Sequence, residues 1–227
     1  MVGIFDSGKG GCFALGEFRR MRPQVNACFL ADKENAPYGI KNEKELVRLV
    51  IRDIERLLFA GARISLMACC TASTVYDLLP NEYKRVAIPI IKPTSMRAVC
   101  ESKNMRIGVI CTSATAKSNA FEREILKQCK GAQVVTVPCG ELVTLVEGGA
   151  ADGCLLEQHK KIIEKALLPL RDSRVDTLIL GCTHFAGLER EIQNITGNTV
   201  INSARVGAEL LASRATESEE GVTVYLS

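Results

Sequence analysis

Short apolar runs alternate with apolar residues at helical spacing along most of the chain. The runs have the character of buried strands, and they occur at 2–5, 27–31, 64–67, 86–88, within 106–113, and at 133–137, 175–182, 199–201 and 222–226. The helical spacing is clearest at 43–59, through Leu46, Val50 and Ile54. Further helices are predicted at 13–21, 75–79, 116–129, 141–147, 155–170, 185–194 and 205–212. Because strands alternate with helices, the pattern predicts an α/β fold of mostly parallel sheets flanked by helices.

The second half of the chain repeats features of the first. The segment 106–113 resembles 1–7, and 175–182 resembles 64–69, each with an apolar run that ends in small or polar residues. Weak internal repetition on this scale predicts two similar α/β halves. We therefore expect two pseudo-symmetric domains.

Proline residues indicate where the first half ends. Pro89 and Pro93 predict a bend, and the boundary is placed there. The C-terminal segment is expected to return to the first half. This assigns 1–92 plus 206–227 to the first domain and 93–205 to the second.

Composition narrows the classes of protein that fit. Hydrophobic residues make up 47% of the 227, aromatic residues only 5%, and tryptophan is absent, so the core must be aliphatic, as in helix-covered parallel sheets. The formal charge of +3 is small and dispersed, which argues against nucleic acid and is compatible with a small anionic substrate. The sequence shows neither an export segment nor a membrane-spanning run, so a cytoplasmic protein is expected.

The ten cysteines predict neither a disulfide framework nor a metal site. Most lie inside apolar runs of a chain that is much larger than the usual disulfide-stabilised domain. The sequence contains no C-x-x-C pair, and the adjacent Cys69 and Cys70 do not have zinc-site spacing. Reduced thiols are expected, and the default role of most of them is that of a small buried hydrophobe.

Two cysteines differ from the rest because each ends an apolar run that is followed by a plausible helix start. Cys69 lies in Ala68-Cys69-Cys70-Thr71, and Cys182 lies in Gly181-Cys182-Thr183-His184. A helix N-terminus lowers a thiol pKa, so both could be activated as thiolates. Two thiols on opposite faces of a carbon could remove a proton from one face and deliver one to the other. This inverts a stereocentre without metal or cofactor.

Neighbouring residues could support such chemistry. Asp6 and His184 are titratable groups that could assist a thiol, and hydroxyl donors suited to substrate carboxylates are Ser7, Tyr38, Thr71 and Thr183. Other interpretations remain open: Asp6 could simply cap a turn, and His184 could be a histidine without a role. The segment Gly8-Lys9-Gly10-Gly11 lacks phosphate-loop spacing and is interpreted as a tight turn.

The residues together resemble the glutamate racemases of the aspartate/glutamate racemase superfamily. The matching segments, in order, are Gly3–Gly8 with Gly10 and Gly11, Pro37–Gly39, Ala68–Cys69 with Thr71–Ser73, Thr112 with Thr115, Cys139 with Leu145–Glu147, and Gly181–His184. The resemblance implies a two-domain enzyme with its active site between the halves. It also implies cofactor-independent interconversion of L- and D-glutamate for peptidoglycan, in a bacterial cytoplasm, and a homodimer.

Site residues follow from the same resemblance. Cys69 and Cys182 match the family's two acid/base groups, Asp6 and His184 match its supporting carboxylate and imidazole, and Glu147 matches a glutamate near the site. The resemblance implies substrate-binding roles for Ser7, Pro37, Tyr38, Gly39, Cys70, Thr71, Thr115 and Thr183. It implies no metal ligand and no partner beyond the amino acid and a second copy of the chain.

The chain departs from the family at Cys70, where asparagine is usual. A thiol donates hydrogen bonds poorly, so substrate binding is expected to differ from that of family members with asparagine at this position. Two alternatives follow: a racemase for aspartate or another amino acid, or a regulatory protein that binds a dicarboxylate without turnover.

Overall fold

A computed structural model describes residues 1–216 and 220–226 of the chain. The strands are β1 Val2–Asp6, β2 Ala27–Ala31, β3 Ile64–Met67, β4 Ala87–Pro89, β5 Arg106–Cys111, β6 Gln133–Pro138, β7 Thr177–Gly181, β8 Thr199–Asn202 and β9 Thr223–Leu226. The α-helices are α1 Gly11–Met21, α2 Glu43–Phe59, α3 Cys70–Ser73, α4 Asn81–Val86, α5 Ile91–Glu101, α6 Ser113–Ser118, α7 Ala120–Gln128, α8 Gly140–Glu147, α9 Glu157–Leu167, α10 Glu189–Thr196 and α11 Ser203–Arg214. Short 3₁₀ turns occupy Tyr38–Ile40, Tyr76–Leu78, Leu168–Leu170 and Thr183–Leu188.

The chain divides into two compact units. Unit 1 is Met1–Ile90 with the segment from Ala204 onward, and unit 2 is Ile91–Ser203. The sequence prediction placed the boundaries after residues 92 and 205. Residues 217–219 and 227, which it assigned to the first domain, lie outside the described residues.

Each unit is built on a parallel sheet, as the sequence pattern predicts. Unit 1 has the strand order β4-β3-β1-β2-β9, and unit 2 has β6-β5-β7-β8. Every recorded strand pair is parallel. The two-sheet α/β fold is therefore confirmed, and the first four strands of each unit follow the same order.

In both sheets the strand order reverses next to the first strand. The chain moves from β1 to β2 on one side and then places β3 on the other, and β5, β6 and β7 repeat this path. Ligands of open α/β sheets bind outside the carboxyl ends of strands at such a reversal. The residues that follow β1, β3, β5 and β7 are thus those best placed for chemistry.

Helix α2 shows how the sequence pattern determines packing. Its apolar residues Leu46, Val50 and Ile54 are buried against the sheet of unit 1. The Asn42 side chain accepts a hydrogen bond of 2.9 Å from the Glu45 amide and so caps the first turn. At the other end, Gly61 adopts a φ of +94°, which glycine tolerates best.

Three sequence predictions about helices were wrong. The bend expected around Pro93 is helix α5, because Pro93 is its third residue, in the first turn, where a missing N–H costs no intrahelical hydrogen bond. The helix expected at 75–79 is only a 3₁₀ turn. The helix expected at 116–129 is interrupted at Asn119, which has a φ of +51°.

Within 1–216 and 220–226, the structure contains no helix with the length and apolarity needed to cross a membrane.

Two glycines of α1 give a matched test of the packing around β1. A Cβ added at Gly11 would lie 2.5 Å from Cβ of Asp6, whereas one added at Gly16 would meet nothing within 4 Å. We expect Gly11→Ala to destabilise the protein by about 1–3 kcal/mol through overpacking. Gly16→Ala should stabilise it by about 0.5–1 kcal/mol through helix propensity. Urea unfolding of both variants measures this; similar midpoint shifts in both would contradict the close approach at Gly11.

Candidate active site

Cys69 lies two residues beyond the end of β3, near the strand end where the sequence placed it. Its sulfur is 3.4 Å from the Ser7 hydroxyl oxygen and accepts a hydrogen bond of 3.5 Å from the Ala72 amide. The residue is 6% exposed. Asp6 precedes Ser7 and is fully buried, with its carboxylate accepting a 2.9 Å hydrogen bond from the Gly8 amide. The carboxyl ends of β1 and β3 therefore bring Asp6, Ser7 and Cys69 to one place in unit 1.

The environment of Cys69 keeps its thiol protonated. Burial raises its pKa to about 11, and the charge of Asp6 contributes in the same direction. Hydrogen bonds from Ser7 and Ala72 act against this shift without overcoming it. The expectation that a helix start lowers this pKa was wrong, because α3 has only four residues and the sulfur is buried beside a carboxylate.

Cys182 has a different set of neighbours in unit 2. Its sulfur is 3.7 Å from Nδ1 of His184, and Nε2 of His184 is 2.6 Å from Oε1 of Glu147. Glu147 is the last residue of α8, which packs against the 3₁₀ turn that follows Cys182. If Nε2 donates to the carboxylate, Nδ1 of the neutral ring is left to accept from the thiol. Thiol, imidazole and carboxylate thus lie in series.

Hydroxyl groups accompany both strand ends. Thr71 and Thr183 are buried in the short turns after Cys69 and Cys182. Thr115 is buried in α6, and its hydroxyl oxygen lies 3.0 Å from that of Thr112, which caps the helix. The Cys70 thiol is also buried, beside Thr71. In each unit, predicted site residues thus follow the strands at the order reversal: Asp6, Ser7, Cys69, Cys70 and Thr71 in unit 1, and Thr115, Cys182, Thr183 and His184 in unit 2.

Tyr38 does not have the role that was expected of its hydroxyl. The side chain is 1% exposed, and the hydroxyl lies 2.7 Å from Asp32 and 2.6 Å from Asp53. Its hydrogen-bonding capacity is used inside unit 1, so the hydroxyl is not available to hold a substrate carboxylate. The contribution of 37–39 to binding would come from Gly39, Pro37 and the main chain.

Asp32 and Asp53 were missed by the sequence analysis. A signal for Asp53 was present, because it lies between Val50 and Ile54 on the face of α2 that the apolar spacing predicts to be buried. A carboxylate at such a position is rarely buried without a partner. Among the described residues, the structure contains no group of three His, Cys, Asp or Glu arranged to hold a metal ion.

Comparison with known proteins identifies the family. The family model described as Asp/Glu/Hydantoin racemase matches residues 18–211. The chain belongs to the Asp/Glu/hydantoin racemase family. Relatives that match the chain are glutamate racemases, which are amino-acid racemases and therefore isomerases, so the predicted family and enzyme class are confirmed.

Individual racemases of this family resemble the chain over most of its length. Glutamate racemase from Aquifex aeolicus (strain VF5) is 41% identical over 212 residues, which cover 92% of this chain and 81% of that protein. The crystal structure of glutamate racemase isoform RacE1 from Bacillus anthracis matches with a TM-score of 0.87 at 29% identity, covering 99% of this chain and 86% of that one. That of Thermus thermophilus glutamate racemase in complex with β-chloro-D-alanine has a TM-score of 0.84 at 26% identity, covering 99% and 86%.

Because the pKa of Cys69 is raised, we expect its thiol to react with alkylating reagents at higher pH than an ordinary cysteine does. Alkylation of Cys69, followed by peptide mass spectrometry, should rise with pH with a midpoint near pH 11. Asp6→Asn removes a negative charge beside the sulfur, so the pH midpoint of Cys69 alkylation should be lower in this variant. The exposed Cys12 serves as the internal reference thiol. A Cys69 midpoint below that of Cys12 would contradict the assignment.

Proposed function

We propose that the protein interconverts L- and D-glutamate by proton transfer at Cα between two thiols. Cys69 and Cys182 are the acid/base groups, and each acts on one face of the substrate Cα. One observation carries the proposal: both thiols follow the strand at the order reversal of topologically equivalent sheets. The glutamate racemase relatives support glutamate as the substrate.

The two thiols start the reaction in different states. Cys69 carries its proton and is ready to act as an acid. The Cys182 proton passes to Nδ1 of His184, whose imidazolium is stabilised by the Glu147 carboxylate. The Cys182 thiolate then removes the Cα proton from the enantiomer that presents it, leaving a carbanion. Cys69 donates its proton to the opposite face, which gives the other enantiomer and leaves Cys69 as the thiolate for the reverse reaction.

Hydroxyls and turn amides would hold the substrate. Ser7, Thr71, Thr115 and Thr183 are donors placed near the two strand ends, and the main chain at 37–39 adds acceptors and donors. We further propose that the protein supplies D-glutamate for peptidoglycan. It would act as a homodimer in a bacterial cytoplasm. The complex of the Thermus thermophilus relative with β-chloro-D-alanine supports a site for a small amino acid.

Incubation with L-glutamate in D₂O tests the reaction directly. We expect the Cα proton signal to disappear in NMR spectra while chiral chromatography detects D-glutamate. Cys69→Ser and Cys182→Ser should each lower racemisation by at least about 10²-fold, because each removes one of the two proton-transfer groups. Cys12→Ser, at an exposed position of α1, is the matched control and should retain activity. Full activity in either site variant would exclude the two-thiol scheme, and exchange with L-aspartate but not L-glutamate would reassign the substrate.

A dicarboxylate-binding regulatory protein is the second candidate. It is favoured by the buried Cys70 thiol next to Cys69, where the resemblance leads one to expect an asparagine amide. If the Cys70 thiol has abolished turnover, calorimetry will detect glutamate binding while the D₂O experiment shows no exchange at Cα. Cys70→Asn will then restore this exchange. If the wild type racemises glutamate, Cys70→Asn is expected to change KM, and this second candidate is rejected.

A further inference from the structure

Three buried polar side chains and a partly exposed arginine form a group that includes Tyr38 of the 37–39 segment. We call it the Tyr38 cluster: Asp32 after β2, Tyr38 in its 3₁₀ turn, and Arg52 and Asp53 in α2. Asp32, Tyr38 and Asp53 are 3%, 1% and 0% exposed. Arg52 Nη2 contacts both carboxylates, at 2.5 Å from Asp32 and 2.8 Å from Asp53. The cluster is separate from the acid/base groups and has no part in the proton transfer described above.

The two oxygen contacts of Tyr38 call for one proton more than its hydroxyl supplies. The Tyr38 oxygen is within hydrogen-bond distance of Asp32 Oδ2 and of Asp53 Oδ2, yet a hydroxyl has one proton to donate. With both carboxylates ionised, one of these short oxygen contacts would join two acceptors in a buried site. A proton on one carboxyl makes both contacts hydrogen bonds.

The surroundings favour Asp53 over Asp32 as the group that holds this proton. Its Oδ1 accepts from Arg52 Nε and Nη2, whereas its Oδ2 lies 2.6 Å from the Tyr38 oxygen and is the atom that can carry the proton. Asp32 accepts from Asn35 through Oδ1 and from Tyr38 and Arg52 through Oδ2, the pattern of an ionised carboxylate. Burial raises the pKa of Asp53, and the charge of Asp32 adds to this against the hydrogen bonds of Tyr38 and Arg52. Burial also acts to raise the pKa of Asp32, but its hydrogen bonds and Arg52 outweigh burial and lower it.

The cluster is connected to the first thiol by packing. The 3₁₀ turn that begins at Tyr38 contacts α3, the helix that Cys69 caps. Tyr38 belongs to the same hydrophobic cluster of unit 1 as Cys69 and Ala72. The position of the Tyr38 ring therefore determines where the main chain of Pro37 and Gly39 lies relative to the Cys69 turn.

We propose that the Tyr38 cluster is a positioning device in which the neutral Asp53 carboxyl donates to Tyr38, and Tyr38 donates to the Asp32 carboxylate, fixing the main chain of 37–39 for substrate binding. Tyr38, Asp32, Asp53 and Arg52 are positioning residues that do not touch the substrate. This inference rests on the proposed function for the role of 37–39, but the location of the proton does not depend on it.

Infrared spectroscopy tests the proton without any activity. At neutral pH the folded wild-type protein should show the C=O band of a protonated carboxyl group, which shifts in D₂O and is absent in Asp53→Asn. Asp77→Asn, at an exposed position, is the matched control and should keep the band. If the Asp53→Asn protein keeps this band, the assignment of the proton to Asp53 is overturned.

The pH dependence of stability gives a second readout of the same proton. A carboxyl group whose pKa is higher in the folded than in the unfolded state binds more protons when folded, so its stabilising contribution is full below the unfolded pKa and is lost as pH rises. The groups that face Asp53 are Tyr38, Arg52 and Asp32. Urea unfolding from pH 5 to pH 9 should show the wild type losing stability relative to Asp53→Asn. A constant difference between the two proteins would contradict the proposal.

Enzyme kinetics test the positioning role. Tyr38→Phe removes the link between the carboxyl groups and should raise KM for glutamate about tenfold with little change in kcat, as expected for lost substrate binding. Asp53→Asn should stay near wild type, because its amide can donate to Tyr38 and accept from Arg52. Tyr76→Phe is the control, since it removes a hydroxyl that bonds to the Lys84 carbonyl, outside the Tyr38 cluster.

The outcomes separate the two proposals. If Asp53→Asn raises KM as much as Tyr38→Phe does, the carboxyl proton is not what supports the segment, and the positioning role is overturned. If Tyr38→Phe does not fold, the infrared band and Asp53→Asn decide. If the wild-type protein has no racemase activity, the proposed function fails while the infrared and unfolding experiments still report on the proton.

Discussion

The reversal of strand order in each parallel sheet determines where this protein can place reactive groups. In unit 1 the reversal lies between β1 and β3, and in unit 2 between β5 and β7. The loops that follow such neighbouring strands diverge to opposite faces of the sheet, so the strand ends stay open and lined with main-chain amides. Asp6, Ser7 and Cys69 lie at the first reversal, and Cys182 lies at the second. Without this repeated topology, the two thiols would be unrelated buried cysteines.

Electrostatics gives the two thiols different properties. The Cys69 sulfur is buried beside the Asp6 carboxylate, which raises its pKa to about 11, so the thiol keeps its proton at neutral pH. Cys182 has an imidazole 3.7 Å away, and that imidazole contacts Glu147. A reaction that moves one proton off Cα and another onto it needs one group in each state at the start. The asymmetry that the units show thus fits proton transfer in which the two thiols exchange roles on each turnover.

Sequence reasoning succeeded where one periodicity controls one element. Helix α2 and strands β2 and β3 lie where the apolar pattern predicts them, because their buried faces are continuous. It failed where two rules compete: Pro93 reads as a helix breaker, but in the first turn of α5 it breaks no hydrogen bond.

For the candidate site, the sequence identified the thiols but not their environments. The pKa of Cys69 depends on burial and on the distance to Asp6, and neither is encoded by the local sequence at 66–73. The Tyr38 hydroxyl was expected at the substrate, and it lies instead between Asp32 and Asp53, which are separated by twenty residues of helix and loop. Long-range polar contacts of this kind cannot be deduced from periodicity.

Two-thiol racemisation requires that both sulfurs reach the same substrate carbon from opposite faces. A crystal structure of the protein with glutamate bound will locate the two sulfurs. We expect Sγ of Cys69 and Sγ of Cys182 on opposite faces of Cα, each at about 3–4 Å, a distance at which a proton can be transferred. Both sulfurs on one face of Cα, or either sulfur directed away from it, would exclude the two-thiol scheme.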